Sequence, residues 1–380
     1  MNIAPDFWVR VLLCDGVKTC VLKSDRPFDV SGSQSQISQS RFNFVDIPLE
    51  VGISGGKIAI AGKPYSNEVI ISPDEPYIFN LNGSDYRGKL KLIINPDSNS
   101  FDAINLVPLE PYLAGVIGAE MPDYWEPEAL KAQAIAARTY CLYMKKRFGD
   151  NRHWDVSKTQ ASQVYRGVTV ESAQIWDAVE QTKGKVLTCI HPDGTEDIFP
   201  AFYSSTCGGH TENSQNVFGG ESFGPLTGVR CPYCKYVAKP SFFFWPMVKF
   251  DKKIVEGKLL KRYQSLNKLG KIAKIIADKQ SNYKDFSRIT NVKVVGSTGK
   301  TNSLRAEDLR LTIDPTGLKI KSAICKIIDL KDEWAFILGR GYGHGVGMCQ
   351  CGAQGMAREG KNARQILFHY YPGSKIVNVY

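Results

Sequence analysis

No apolar stretch in this sequence is long enough to cross a bilayer. The longest, Phe242 to Val248, is interrupted by Pro246 and falls far short of the ~20 residues a spanning helix needs. No short-period repeat runs along the chain, and apolar residues are plentiful at 43%, which excludes collagen, coiled coil and wholesale disorder. Acidic side chains are in deficit, 38 against 48 Lys and Arg, for a formal net charge of +10. That balance favours anionic partners, but no nucleic-acid motif accompanies it, and none is expected to bind. Met1 to Asp6 lacks the basic and apolar regions of a secretory signal. Two expectations follow, a protein retained inside the cell or one whose signal has been removed.

What is present is an ordinary globular composition over 380 residues, enough for two or three lobes. Ten cysteines are too few for a disulfide scaffold in a chain able to bury a core unaided, so their spacing matters more than their number. Alternating runs such as Trp8 to Leu13 and Gly56 to Ile60, punctuated by Gly, Asp, Pro and Ser, predict strands through the first hundred residues. Ser31 to Ser40 reads as an exposed loop.

After Pro122 the composition changes. Pro127 suits a first helical turn, and Ala, Leu, Lys, Gln and Arg then run to Arg147 before Gly149, which predicts a helix. Lys131 and Arg138, seven apart, fall on nearly the same side, among Ala134 and Ile135. Two readings stand for these cations, snorkelling at the stripe's edge or a buried role facing a substrate. Helices are also predicted over Val170 to Lys183 and over Lys252 to Asp278, and strands over Arg288 to Val295, Leu309 to Ile313 and Trp334 to Leu338. Residues 249 to 284 hold eleven Lys and Arg against three acids, read as a solvated face. The result is an α+β chain with a β-rich region (1–105), a catalytic region with the long helix and a cysteine knuckle (106–248), a basic helical insertion (249–285) and a C-terminal region (286–380).

Three segments could carry chemistry. Glu120 follows an apolar run from Tyr112 and precedes Met121 and Pro122; poor solvation there would raise its pKa toward that of a general acid. A helix-capping or lysine-pairing role is the plainer reading. Cys207 and His210, with Cys231 and Cys234 some twenty residues on, have the spacing of a four-ligand structural zinc site, with a disulfide or free thiols as the alternative. The third segment, Gly339 to Gly355, has seven glycines in seventeen residues and offers His344 and Gln350. Such a backbone turns tightly or lies against a ligand.

Taken in order, Val107-Pro108-Leu109-Glu110-Pro111-Tyr112-Leu113, then Gly118-Ala119-Glu120-Met121-Pro122, then Glu128 to Tyr140 resemble the signature of the stage II sporulation protein D family. Ser205 to Gly209, the Gly341-Tyr342-Gly343-His344-Gly345-Val346-Gly347-Met348 loop and His369 to Gly373 are similar to its later motifs. The resemblance implies a bacterial lytic transglycosylase acting outside the cytoplasmic membrane. Such an enzyme cuts peptidoglycan glycan strands, preferably stripped of peptides, between N-acetylmuramic acid and N-acetylglucosamine and leaves a 1,6-anhydro end. It makes Glu120 the catalytic acid and needs no cofactor for catalysis. Lys131, Gln133 and Arg138 would bind substrate, the two cations by holding the lactyl carboxylate or steadying loops. Ser204, Ser205, Thr206, His344 and Gln350 would hydrogen-bond sugars. The chain departs from many relatives in having Cys349 where they carry serine. Competing expectations are a hydrolytic muramidase, with Asp123 or Asp155 positioning water, a non-catalytic glycan-binding scaffold that recruits a peptidoglycan amidase, and a nucleic-acid-associated protein.

Overall fold

A computed structural model of the chain describes residues 7–32, 38–43, 46–96, 99–191 and 193–380. The α+β class is confirmed. Two units form, Met1–Val186 with Val377–Tyr380, and Leu187–Ile376, so the four regions read from the sequence regroup into two. Among the described residues no helix is long and apolar enough to cross a membrane.

In the first unit, alternate side chains of strand Trp8–Val17 take different partners: Val9 and Val11 are fully buried on one face, while on the other Arg10 reaches Asp155 and Leu12 packs with Ile93 and Ile104. This two-residue period builds a seven-stranded sheet in the order Val156–Ser157, Trp8–Val17, Phe101–Pro108, Lys89–Ile94, Glu68–Pro73, Phe28–Gly32 and Ser38–Phe42. A six-stranded sheet is built from Ser84–Arg87, Ile78–Leu81, Cys20–Lys23, Leu49–Ser54, Lys57–Ile60 and Lys63–Pro64. The ends of the expected loop at Ser31 to Ser40 are strand, and residues 33–37 lie outside the described ones.

Strand Phe101–Pro108 runs into helix α1 (Leu109–Glu120), with Pro111 in the first turn, where its missing N–H costs no helical bond. Helix α2 (Pro127–Phe148) starts at Pro127 and ends with Lys145, Lys146 and Arg147, cations that suit the negative end of the helix dipole. Helix α3 (Ala173–Gln181) begins later than predicted because Gly167–Val170 is a 3-10 turn and Ser172 caps the helix, its hydroxyl accepting from the Ile175 N–H at 3.4 Å.

The second unit holds its own core around Trp245, Leu259, Ile275, Val292, Leu309 and Trp334. That core draws on residues from both 249–285 and 286–380, so the basic segment is not a separate insertion. Nor is it one helix. Asp251 caps Lys252–Arg262 through the Ile254 N–H, a 3-10 turn follows, and Ile272–Asn282 is a strand paired with Ser287–Gly296. Ile272, Ile275 and Ile276 favour that conformation, since β-branched side chains fit a pleated surface. Lysines that pair, as Lys252 does with Asp329, do so at the surface. Residues 309 to 313 are also corrected: they end helix Ala306–Ile313, where Leu309 and Ile313, one turn apart, bury the same face. Leu309, Leu311 and Ile313 alternate with Arg310 and Thr312 as in a strand, but over five residues the i, i+4 spacing of Leu309 and Ile313 fits a helix as well. The strands predicted over Arg288 to Val295 and Trp334 to Leu338 are found as Ser287–Gly296 and Glu333–Ile337.

Candidate functional site

Glu120 is the last residue of α1, whose preceding residues Leu109 to Ile117, apart from Pro111, are buried. Apolar packing therefore fixes where the carboxylate stands, and Met121 behind it is buried too. The side chain itself is half-buried, and its Oε1 accepts a hydrogen bond from the Val164 N–H at 3.0 Å.

The polar residues of α2 behave differently from one another. Lys131 is half-buried and paired with Glu128 at 2.7 Å. Gln133 is fully buried, and among the described residues neither side-chain amide atom has a hydrogen-bond partner. Arg138 is fully buried and bonded within the protein. Its Nε and Nη2 donate to the two oxygens of Glu110 at 2.9 and 2.6 Å, Nη1 donates to the Lys185 carbonyl at 3.1 Å, and the Tyr380 hydroxyl also donates to Glu110. The bidentate geometry is the strong form of this pair, and it ties α1 to α2. Asp155 is equally committed. Fully buried, it takes Arg10 Nη2 at 2.6 Å and Lys145 Nζ at 3.1 Å, which withdraws it as a base for water. Asp123 is exposed.

In the second unit the later motifs are joined by backbone. Tyr203–Ser204 pairs in parallel with Met348–Cys349, Thr206 exchanges both hydrogen bonds with Tyr342 at 3.0 and 2.8 Å, and the Cys351 N–H donates to the Ser205 carbonyl at 3.0 Å. Gly341, Gly343, Gly345 and Gly347 all have positive φ, so the glycines serve the turns that lay this loop along residues 203 to 206. Thr206 is buried and donates to Cys351 Sγ at 3.3 Å; Ser204 and Gln350 are buried, and the Ser204 hydroxyl has no hydrogen-bond partner among the described residues. Ser205 and His344 retain partial exposure.

His344 frames the loop from within. Its Nδ1 accepts from the Val346 N–H at 3.0 Å, and its ring packs on Phe202 and Phe218. Desolvation there pulls its pKa down to about 4, against the opposing field of Glu307, so the ring is neutral near pH 7. Arg288, which the sequence reading missed, is buried and donates to the carbonyls of Cys207 at 3.0 Å and His344 at 3.3 Å, cross-linking the two segments.

The metal-type cysteines assemble with a different fourth member. Cys207, Cys231, Cys234 and Cys349 are buried, with their sulfurs within 4.8 Å of one another. His210 is not among them. Its ring stacks on Tyr283 at 4.2 Å and its Nδ1 bonds the Thr211 carbonyl at 2.6 Å, because the chain turns through positive φ at Gly208 and Gly209 directly after Cys207. The 203–204 and 348–349 pairing delivers Cys349 instead. Hydrogen bonds from Cys207, Cys234 and Cys349, with Tyr370 adding to them, hold the Cys231 thiol well below the usual range, while burial pushes Cys207 and Cys349 well above it.

Comparison with known proteins fits this arrangement. A family model described as "Stage II sporulation protein" matches residues 97–189, the stretch that carries α1 to α3. The chain is thus an α+β protein of the stage II sporulation class. It is 33% identical over 300 residues to an uncharacterized protein of Brachyspira hyodysenteriae, covering 79% of this chain and 74% of that protein. It is 31% identical over 402 residues to the amidase enhancer of Bacillus subtilis, covering 94% of this chain and 55% of that protein. It is 30% identical over 288 residues to stage II sporulation protein D of Bacillus subtilis, covering 72% of this chain and 76% of that protein. The chain belongs to the stage II sporulation protein D family.

Proposed function

We propose that the chain is a lytic transglycosylase that cleaves peptide-stripped peptidoglycan strands between N-acetylmuramic acid and N-acetylglucosamine, outside the cytoplasmic membrane. Family membership supports a role connected with the cell wall. The observation that carries the finer reading is Glu120 itself, a half-buried carboxylate fixed at the end of a buried helix inside the family's central motif.

A transglycosylase needs one carboxylate, because the sugar's own 6-hydroxyl replaces the water that a second carboxylate would otherwise activate. Glu120 gives its proton to the glycosidic oxygen as the bond from muramyl C1 to that oxygen breaks. The muramyl 6-oxygen then bonds to C1, and its proton returns to Glu120, closing the 1,6-anhydro ring. The Val164 N–H, donating to Glu120 Oε1 at 3.0 Å, orients the carboxyl group. The commitment of Asp155 to Arg10 and Lys145 weighs against a muramidase using it.

Mass spectrometry of products from peptide-free glycan tests this reading. Anhydro-muramyl ends are expected from the native protein, reduced about 10²- to 10⁴-fold in Glu120→Gln, the span of a general acid's contribution. New reducing ends would instead mean hydrolysis. A second reading, a glycan-binding partner of an amidase, is favoured by the relative named amidase enhancer. It takes first place if native protein and variant stimulate a peptidoglycan amidase equally while neither releases product.

A further inference from the structure

We propose that Cys207, Cys231, Cys234 and Cys349 form a closed four-thiolate zinc site that pins the 203–207 segment, the Cys231–Cys234 turn and the glycine-rich loop to one another. Their four sulfurs all lie within 4.8 Å of one another. Zinc–sulfur bonds of about 2.3 Å place tetrahedral sulfurs about 3.8 Å apart, and Cys207 Sγ lies 3.8 Å from Cys234 Sγ. A disulfide needs about 2.05 Å, and all ten cysteines are free. The four sulfurs come from three stretches of chain, each beside a constraint of its own. Cys207 follows the strand pair, Cys231 and Cys234 flank a tight turn leading into the 3-10 turn Cys234–Tyr236, and Cys349 immediately precedes helix Gln350–Arg358.

The surroundings suit thiolates. The Cys207 N–H donates to Cys349 Sγ at 3.2 Å and the Gly209 N–H to Cys207 Sγ at 3.5 Å, while the Tyr370 hydroxyl lies 3.1 Å from Cys231 Sγ. Such outer partners orient ligands and spread their charge. Arg288 and Arg340, bonded to the carbonyls of Cys207 and Gly208, set two positive charges beside a centre that would carry two negative ones. Helix Gln350–Arg358 presses so closely on the cluster that a Cβ at Gly352 would strike Cys231 Sγ and the Tyr370 hydroxyl. Metal uptake replaces the protons still carried by the four sulfurs, released to solvent, with four zinc–sulfur bonds, and no electrons move. A set of four protein ligands leaves no open position, so the ion holds loops and does not activate water.

The test is metal analysis of the full-length chain purified under reducing conditions, independent of any activity. One zinc per chain is expected, retained in His210→Ala. Cys349→Ser should weaken binding by more than the roughly 10- to 100-fold that loss of an outer-shell partner costs. Should that variant fail to fold, cobalt substitution answers on the native protein, where thiolate-to-cobalt charge transfer of a four-sulfur tetrahedral centre is expected and Cys349→His should convert it to a three-sulfur, one-nitrogen spectrum. Metal-free protein that takes up no cobalt, a disulfide among the four, iron in place of zinc, or zinc lost with His210 and kept without Cys349 would overturn the proposal.

Discussion

The two regions that carry the family's motifs are built on opposite principles. Around Glu120 the chain uses apolar helices: most of α1 is buried, and one ion pair, Arg138 with Glu110, ties it to α2. Around residues 203–207 and 341–351 regular structure is scant, and glycine turns, backbone bonds, Arg288, a neutral histidine and four cysteines hold the chain. A helix end presents a single group rigidly on a framework that apolar packing makes anyway. A loop pair can follow an extended ligand, but it has little apolar area with which to hold itself and must be stapled by specific contacts.

The sharpest way to break this contrast is to remove the buried ion pair between α1 and α2. Arg138→Ala leaves Glu110 charged and buried, which costs about 3–5 kcal/mol in comparable buried pairs. A large fall in the thermal midpoint, with Arg138→Met/Glu110→Leu recovering much of it, is the expected calorimetric result. If the double variant is no more stable than the single one, the pair does more than compensate its own burial.

The next test falls on the loop region. His344 is held neutral in the folded chain with a pKa of about 4, against ~6.5 when unfolded. The folded pKa is depressed, so below pH ~6.5 the unfolded chain binds a proton that the folded one refuses. Stability is full above that pH and is lost progressively toward pH 4, by about 3 kcal/mol at most. Denaturant titrations from pH 7 to 4 should show a slope that His344→Asn flattens. An unchanged slope would mean that the ring titrates normally and does not frame the loop.

This difference in construction also explains what could be read beforehand. The long helix was legible because Pro127 starts it and strong helix formers fill it, and the strands at Trp8 to Leu13 and Gly56 to Ile60 because apolar and polar residues alternate. The motif around Glu120 is local and continuous, so position and sequence agree. The burial of Arg138 was not legible, because a cation on an apolar stripe can snorkel or be buried, and the deciding partner, Glu110, lies 28 residues earlier. Cys349 was missed as a companion of Cys207 because 142 residues separate them and contacts formed only on folding, such as the parallel pairing of two short strands, bring them together. His210 stood at metal-ligand spacing, yet two glycines turned it away. Where contacts are local the sequence carries the answer; where loops are stapled across long separations, it supplies the residue types but not the partners.

The smallest effect discriminates most finely. Lys131 lies on α2, seven residues before Arg138, but half-buried rather than buried, and pairs with Glu128 at i, i+3. Such pairs contribute only ~0.3–0.5 kcal/mol, so Lys131→Ala should leave stability almost untouched. Its consequence belongs to binding: a lysine that also meets a glycan carboxylate contributes equally to ground and transition state, and its loss raises KM with kcat unchanged. Steady-state kinetics on peptide-free glycan, compared with strands whose lactyl carboxylates have been reduced, should show the KM increase on the first substrate and none on the second. Equal KM values for native and variant protein on both substrates would return Lys131 to the role of an ordinary surface charge and leave α2 a purely structural helix.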